Sequence, residues 1–307
     1  CAHDRHAGDR PARQAGAVTG APLRTAVLGP GRVGTALAMA LPPELYRVVA
    51  VAGRGRAALA RFLAAVPGAA ERGAVDAARE ADFVLLAVPD DALVPLVRDL
   101  AAAGAVRAGA AWVHTAGGHG LAALEPARLA GARVAACHPA QTFPDPETGR
   151  ASLPGTAWAV TAAAGDLGWA RSLVHALGGV PVEVAEANRA LYHAGLVVGA
   201  NGASSVVAQA RELLLGAGVP DPEAFLAPLV VAAVRNAAGR GVAALTGPVR
   251  RGDTGTLQRH VAELRRAMPE AVEAYLALAR LALAQARRAG LEPARADAVE
   301  ALLREES

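Results

Sequence analysis

The stretch Thr25-Ala-Val-Leu-Gly-Pro-Gly-Arg-Val-Gly-Thr-Ala-Leu37 runs an apolar strand into a turn with glycine at 29, 31 and 34, then straight into a helix of small residues. Each glycine has a separate physical task. Gly29 allows a tight turn, Gly31 lets the backbone approach an anion, and Gly34 lets the helix pack on the strand. The helix N-terminus then presents its free N–H groups to the anion. In this strand-to-helix context the turn predicts a dinucleotide pyrophosphate site, to which Pro30, Arg32 and Val33 are assigned along with the glycines.

A second apolar strand, 47–52, follows about 20 residues on, where an NAD-selective protein offers an acid to the ribose hydroxyls. Here the strand runs into Gly53-Arg54-Gly55-Arg56, with no acid. A guanidinium binds a 2′-phosphate that a carboxylate would repel, so Arg54 points to NADP(H) as the cofactor.

The chain has 307 residues and a formal net charge of +3, long enough for two domains. All of its basic charge is arginine, because lysine is absent, and no Schiff base or lysine proton donor is available. Arginines are scattered among acids, which argues against nucleic-acid binding. Apolar runs are interrupted before the ~20 residues of a membrane span, so a soluble protein is expected. Cys1 and Cys137 make no disulfide framework and no metal cluster, which fits a cytoplasmic location, and no pair of histidines has metal spacing with a third ligand, so no metal is expected. Residues 1–22 lack periodicity and the apolar core of a secretory signal; they read as a disordered extension with a trimmed start, and His3 and His6 there as adventitious metal ligands at most.

From 23 to 186 short apolar strands alternate with helices, the pattern of a doubly wound parallel α/β sheet. Strands are expected at 25–28, 47–52, 83–88, 111–115, 133–137, 157–161 and 181–185. Ligands of such sheets collect at the carboxyl ends of strands, which brings Val88, Pro89, Asp90, Thr115 and the His138-Pro139 pair toward one cleft. From 187 to 307 helical periodicity takes over, giving an all-α substrate and dimerisation domain. Its first helix, 187–215, is rich in glycine, alanine and serine, and a homodimer through the helical domain is expected.

His138 follows a strand and precedes a proline, and imidazole titrates near neutrality, so it is the leading acid/base candidate. His193 and Asn201 lie eight residues apart on the long helix. At 100° per residue they fall about 80° apart on one face, where they can orient a carbonyl or imine. Structural roles for all three remain open, and His114 reads as packed rather than catalytic. Thr246, Arg250, Arg251 and Asp253 either cap the following helix or close the cleft, an arginine there binding a substrate carboxylate.

Gathered in order, Leu28-Gly-Pro-Gly-Arg-Val-Gly34, Leu85-Leu-Ala-Val-Pro-Asp-Asp-Ala92, His114-Thr-Ala-Gly117, His138-Pro-Ala-Gln-Thr-Phe143, Leu191-Tyr-His-Ala194 with Asn201, and Leu245-Thr-Gly-Pro-Val-Arg-Arg-Gly-Asp253 resemble a known group. Its members join a Rossmann-like domain to the domain of unknown function 2520, and it is similar to pyrroline-5-carboxylate reductase, 6-phosphogluconate dehydrogenase and prephenate dehydrogenase. The resemblance implies NADP-dependent oxidation or reduction of a small carboxylic acid, with ketopantoate among the substrates of some members. Relatives in the wider clan use a lysine as proton donor on the first helix of the second domain; here His193, Tyr192 or His138 must take that part. A non-catalytic NADPH sensor or scaffold is the rival reading.

Overall fold

The computed structural model describes residues 20–306. The extension expected at 1–22, with Cys1, His3 and His6, lies outside the described residues up to 19. Contacts divide the chain into two compact units, one ending at Leu196 and the other beginning at Val197. The sequence boundary at 186/187 therefore falls within the first unit.

The first unit is built on eight strands: β1 (Leu23–Leu28), β2 (Tyr46–Ala52), β3 (Ala70–Glu71), β4 (Phe83–Leu86), β5 (Ala111–His114), β6 (Arg133–Pro139), β7 (Ala157–Ala162) and β8 (Val180–Glu183). Their order is β3-β2-β1-β4-β5-β6-β7-β8. Successive side chains point to opposite faces, so each strand feeds two cores. On one face Val27, Leu85, Val113 and Ala135 meet α1 (Arg32–Ala40), α2 (Arg56–Ala65) and, further along, α7 (Leu167–Ala176). On the other, Ala26, Val84, Trp112 and Val134 meet α3 (Ala74–Arg79), α4 (Asp90–Ala102) and α5 (Glu125–Leu129). Burial on both faces explains why these strands read as continuous apolar runs.

The sheet departs from the expected parallel pattern at one place. β6 and β7 pair antiparallel, with Cys137 opposite Val160. A parallel return needs a crossover that covers a sheet face. The link 140–156 instead carries only the short α6 (Pro146–Ala151), which packs against α1 and is capped by Asp145, whose Oδ1 accepts from the Thr148 N–H at 2.7 Å. The two-residue β3 is too short to show periodicity in the sequence. Helix α8 (Arg189–Leu196) closes this unit.

In the second unit a π-helical stretch, Val197–Gly202, precedes α9 (Ala203–Gly216), α10 (Pro222–Arg240), α11 (Pro248–Arg251), α12 (Thr254–Ala267), α13 (Val272–Arg288) and α14 (Pro293–Glu305). Leu257, Val261, Leu276, Leu283, Val299 and Leu302 form the core of α11–α14. The expected single helix over 187–215 is thus interrupted, and Gly199 and Gly202 lie in the interruption, where glycine weakens regular α-helix.

At β1 the chain bends on Gly29, whose φ is +108°. A Cβ on Gly34 would sit 2.0 Å from the Gly29 carbonyl oxygen. Gly34→Ala is therefore expected to destabilise the first unit by about 1–3 kcal/mol, as overpacking does, measured by urea unfolding; a wild-type midpoint would show that the turn has room to spare.

Candidate active site

The carboxyl ends of β1, β2 and β4 border a cleft of about 860 Å³. Gly29 and Gly53 have no space for a side chain: a Cβ on Gly29 would lie 2.3 Å from the Ala87 oxygen, and one on Gly53 would lie 2.3 Å from the Pro30 ring. Gly31 differs. It is the N-cap of α1, it lines the cleft, and a Cβ there would meet nothing within 4 Å. The backbone is thus packed tightly behind the turn and open in front of it, a shape that suits a pyrophosphate against helix N–H groups. Arg54 and Arg72 line the same cleft, and Asp91 is its one lining acid.

A second cluster forms along β5, β6 and α8. His114 is fully buried. The Ala116 N–H donates to its Nδ1 at 3.2 Å, which leaves Nε2 to donate to the Gly120 carbonyl at 3.0 Å. Both nitrogens are occupied in folding the loop 115–120, and burial lowers the ring's pKa to about 4. That loop carries Gly117, where a Cβ would fall 2.5 Å from His193 Cδ2 and 3.0 Å from His138 Nε2.

His138 Nδ1 shares a 2.9 Å hydrogen bond with the Tyr192 hydroxyl, and its ring meets those of Tyr192 and His193 edge-on, 5.8 and 5.7 Å between centroids. Beneath them lies Arg189, 1% exposed. Its guanidinium donates to the carbonyls of His119 (2.9 Å), Ala159 (3.2 Å) and Ala116 (2.7 Å), and sits 5.7 Å from the Tyr192 ring centroid. Burial, reinforced by the positive charge of Arg189 and by His193 and His114, pushes His138 down to about 4. The ring is neutral at pH 7, so it carries no imidazolium proton there. Burial raises the pKa of Tyr192, with Arg189 opposing.

Residues 9–139 match the Rossmann-like domain family, and residues 156–282 match the domain of unknown function 2520. The chain joins these two domains. No curated protein matches it in sequence. A provisionally named NADP oxidoreductase from Bacteroides fragilis has a similar structure at 22% identity and TM-score 0.72, covering 85% of this chain and 98% of that one. An imine reductase from Myxococcus stipitatus, solved with NADP+, gives 21% and 0.64 over 87% and 95%. An imine reductase from Streptomyces aurantiacus gives 18% and 0.56 over 92% and 93%. At these identities the likeness is one of fold.

Of the residues assigned to the cofactor from sequence, Gly29, Pro30, Gly31, Arg54, Val88 and Pro89 line this cleft. Gly34 acts behind it. Arg32 is exposed, with Nη1 donating to the Pro144 carbonyl at 3.3 Å, and Val33 packs on the core. Asp90 opens α4 outside the lining, where Asp91 takes its place, and Thr115 is tied by its N–H to the Leu86 carbonyl at 3.1 Å.

His138 and His193 are brought together within the first unit. Asn201 lies exposed in the π-helical stretch of the second unit, so the count of 100° per residue that set it beside His193 does not hold through those residues. Asp253 caps α12 through Thr256 (3.0 and 2.8 Å), and Arg250 donates to the Ala289 carbonyl at 3.1 Å, which favours the capping reading of that turn. Sequence reasoning missed Arg189 and Arg72. Nothing in their neighbours marks one arginine as buried and the other as cleft-lining.

Arg189→Met is expected to cost about 2–4 kcal/mol, since three buried carbonyls lose their donor, and Arg189→Lys to restore only part of this because an ammonium lacks the guanidinium fork; thermal melting reads both. His114 and His138 also make stability depend on pH. Unfolded, each binds a proton near 6.5; folded, near 4. The unfolded state holds more protons between those values, so stability falls as pH drops from about 6.5 to 4, by roughly 3 kcal/mol per ring. Urea midpoints that stay flat across this window would contradict the buried neutral rings.

Proposed function

We propose that the chain is an NADP(H)-dependent oxidoreductase that moves hydride to or from a small carbonyl or imine borne by a carboxylic acid. The observation that carries this reading is the cradle at Gly31, closed behind by Gly29 and Gly34, open in front, and flanked by Arg54 with no acid at the end of β2. The NADP+ in one structural neighbour and the oxidoreductase names of others agree with it. Gly29, Pro30 and Gly31 hold the pyrophosphate, and Arg54 the 2′-phosphate. When bound, the dinucleotide supplies or accepts the hydride.

Proton delivery falls to Tyr192 through His138. Nδ1 of His138 accepts from the Tyr192 hydroxyl, and Nε2 lies beside Gly117. As hydride reaches the substrate carbon, the Nε2 proton passes to the substrate oxygen or nitrogen while the Tyr192 proton moves to Nδ1. The ring stays neutral throughout. The phenolate left on Tyr192 is stabilised by the Arg189 guanidinium near its ring. His193 packs against Gly117 and Gly118 of the loop 115–120.

In the second unit, α10 buries only Pro222 and exposes Phe225, Leu229, Val231 and Val234, and α9 buries nothing. This supports a homodimer in which a second copy covers the helices. Among the described residues no helix is long and apolar enough to cross a membrane. The one free thiol of the described residues, Cys137, is buried and pushed up to about 12, which suits the cytoplasmic reading without demanding it.

A panel of 2-keto acids, cyclic imines and ketopantoate is expected to include a substrate that consumes NADPH. Tyr192→Phe and His138→Asn should each lower kcat by about a hundredfold or more without changing NADPH affinity. No NADPH consumption with any member would favour a sensor over an enzyme, and unchanged kcat in both variants would end the relay. Light scattering should give twice the chain mass, and Phe225→Glu with Leu229→Glu should halve it; a monomeric wild type would overturn the dimer.

A further inference from the structure

We propose that Arg72 is a second arm of the 2′-phosphate site and, with Arg54, sets the preference for NADPH over NADH. This rests on the dinucleotide reading above and assigns a residue to it from another strand. β3 pairs parallel with β2, Ala70 opposite Ala50 and Glu71 opposite Val51. One residue further, the Arg72 N–H donates to the Val51 carbonyl at 3.0 Å. Its Cα is therefore held beside the end of β2, where Ala52 leads into Gly53 and Arg54. Both arginines are exposed and line one cleft.

Their charges are uncommitted. Among the described residues the Arg54 side chain makes no hydrogen bond or ion pair, and Arg72 donates from its side chain only to the neighbouring Glu71 carbonyl at 3.0 Å, with no carboxylate partner. The lining acid, Asp91, comes from α4 on the far side of β1 and β4. Elsewhere in the first unit Arg24, Arg107, Arg128, Arg133 and Arg171 are each paired with an acid, while Arg47, Arg56, Arg61 and Arg150 have no carboxylate partner among the described residues but do not line the cleft. Two unpaired guanidinium groups from adjacent strand ends suit a dianion, which each can grip through two N–H donors. A ribose diol gives no reason for two cations in one cleft, and an adenine ring stacked on a guanidinium would serve NADH and NADPH alike.

The test is fluorescence titration of the full chain and its Arg54→Ala and Arg72→Ala variants with NADPH and NADH, with circular dichroism melting to show that the variants fold. Arg72→Ala is expected to weaken NADPH roughly tenfold or more, the loss of a charged hydrogen bond, and to leave NADH unchanged. Arg72→Lys should recover part of the NADPH affinity. Equal weakening of both dinucleotides would assign Arg72 to the adenosine and overturn the proposal. If Arg54→Ala loses the preference and Arg72→Ala keeps it, the proposal falls while the dinucleotide reading stands. A wild type that binds neither dinucleotide would remove both.

Discussion

The contact on which the first unit depends is the approach of α1 to the turn that precedes it, where Gly34 lies so near the Gly29 carbonyl that no side chain fits between them. That approach fixes where the helix N-terminus points. It also seats Gly29 against Ala87, so the ends of β1 and β4 are held at one depth. The order β2-β1-β4 makes this the place where connections leave for opposite faces of the sheet, and a crevice must open there. Gly31 stands at the mouth of that crevice, and Arg54 and Arg72 at its edge.

A different device organises the other cluster. Arg189 gathers carbonyls from His119 and Ala116 on the loop after β5 and from Ala159 on β7, and so ties α8 to the sheet. The cost of burying a cation is met by three oriented dipoles rather than by a carboxylate. Glu186, three residues earlier, is occupied in accepting the Leu121 and Ala122 N–H groups at 2.7 and 3.2 Å. Burial first, and the positive charge of Arg189 second, hold His138 neutral.

Much of the fold was legible because its signals are local. Alternating apolar runs located seven of the strands, and the glycine spacing located the turn, since both record what a few consecutive residues must do. The antiparallel β6/β7 pair was not legible, because strand direction depends on how the intervening 140–156 segment packs on α1. Within the cluster, His138 was singled out as following a strand, whereas β6 runs on through it to Pro139 and pairs it with Ala159. Arg189 was not, because burial of an arginine is set by carbonyls 30 to 73 residues away in the chain. Asn201 was drawn in by assuming an unbroken α-helix, an assumption the π-helical stretch removes.

The absence of lysine sharpens the question of where a proton is stored. An ammonium donor would add a second cation beside the buried guanidinium, a repulsive arrangement at the short range of this cluster. An imidazolium at His138 meets the same objection on top of the larger cost of burial, and its lowered pKa expresses both. The neutral acid in contact with the ring is the Tyr192 hydroxyl, and the guanidinium that disfavours a cation there is the group that favours the phenolate. On the proposed relay, burial and the nearby guanidinium together keep the imidazole neutral, and the same guanidinium offsets part of the rise that burial imposes on the Tyr192 hydroxyl.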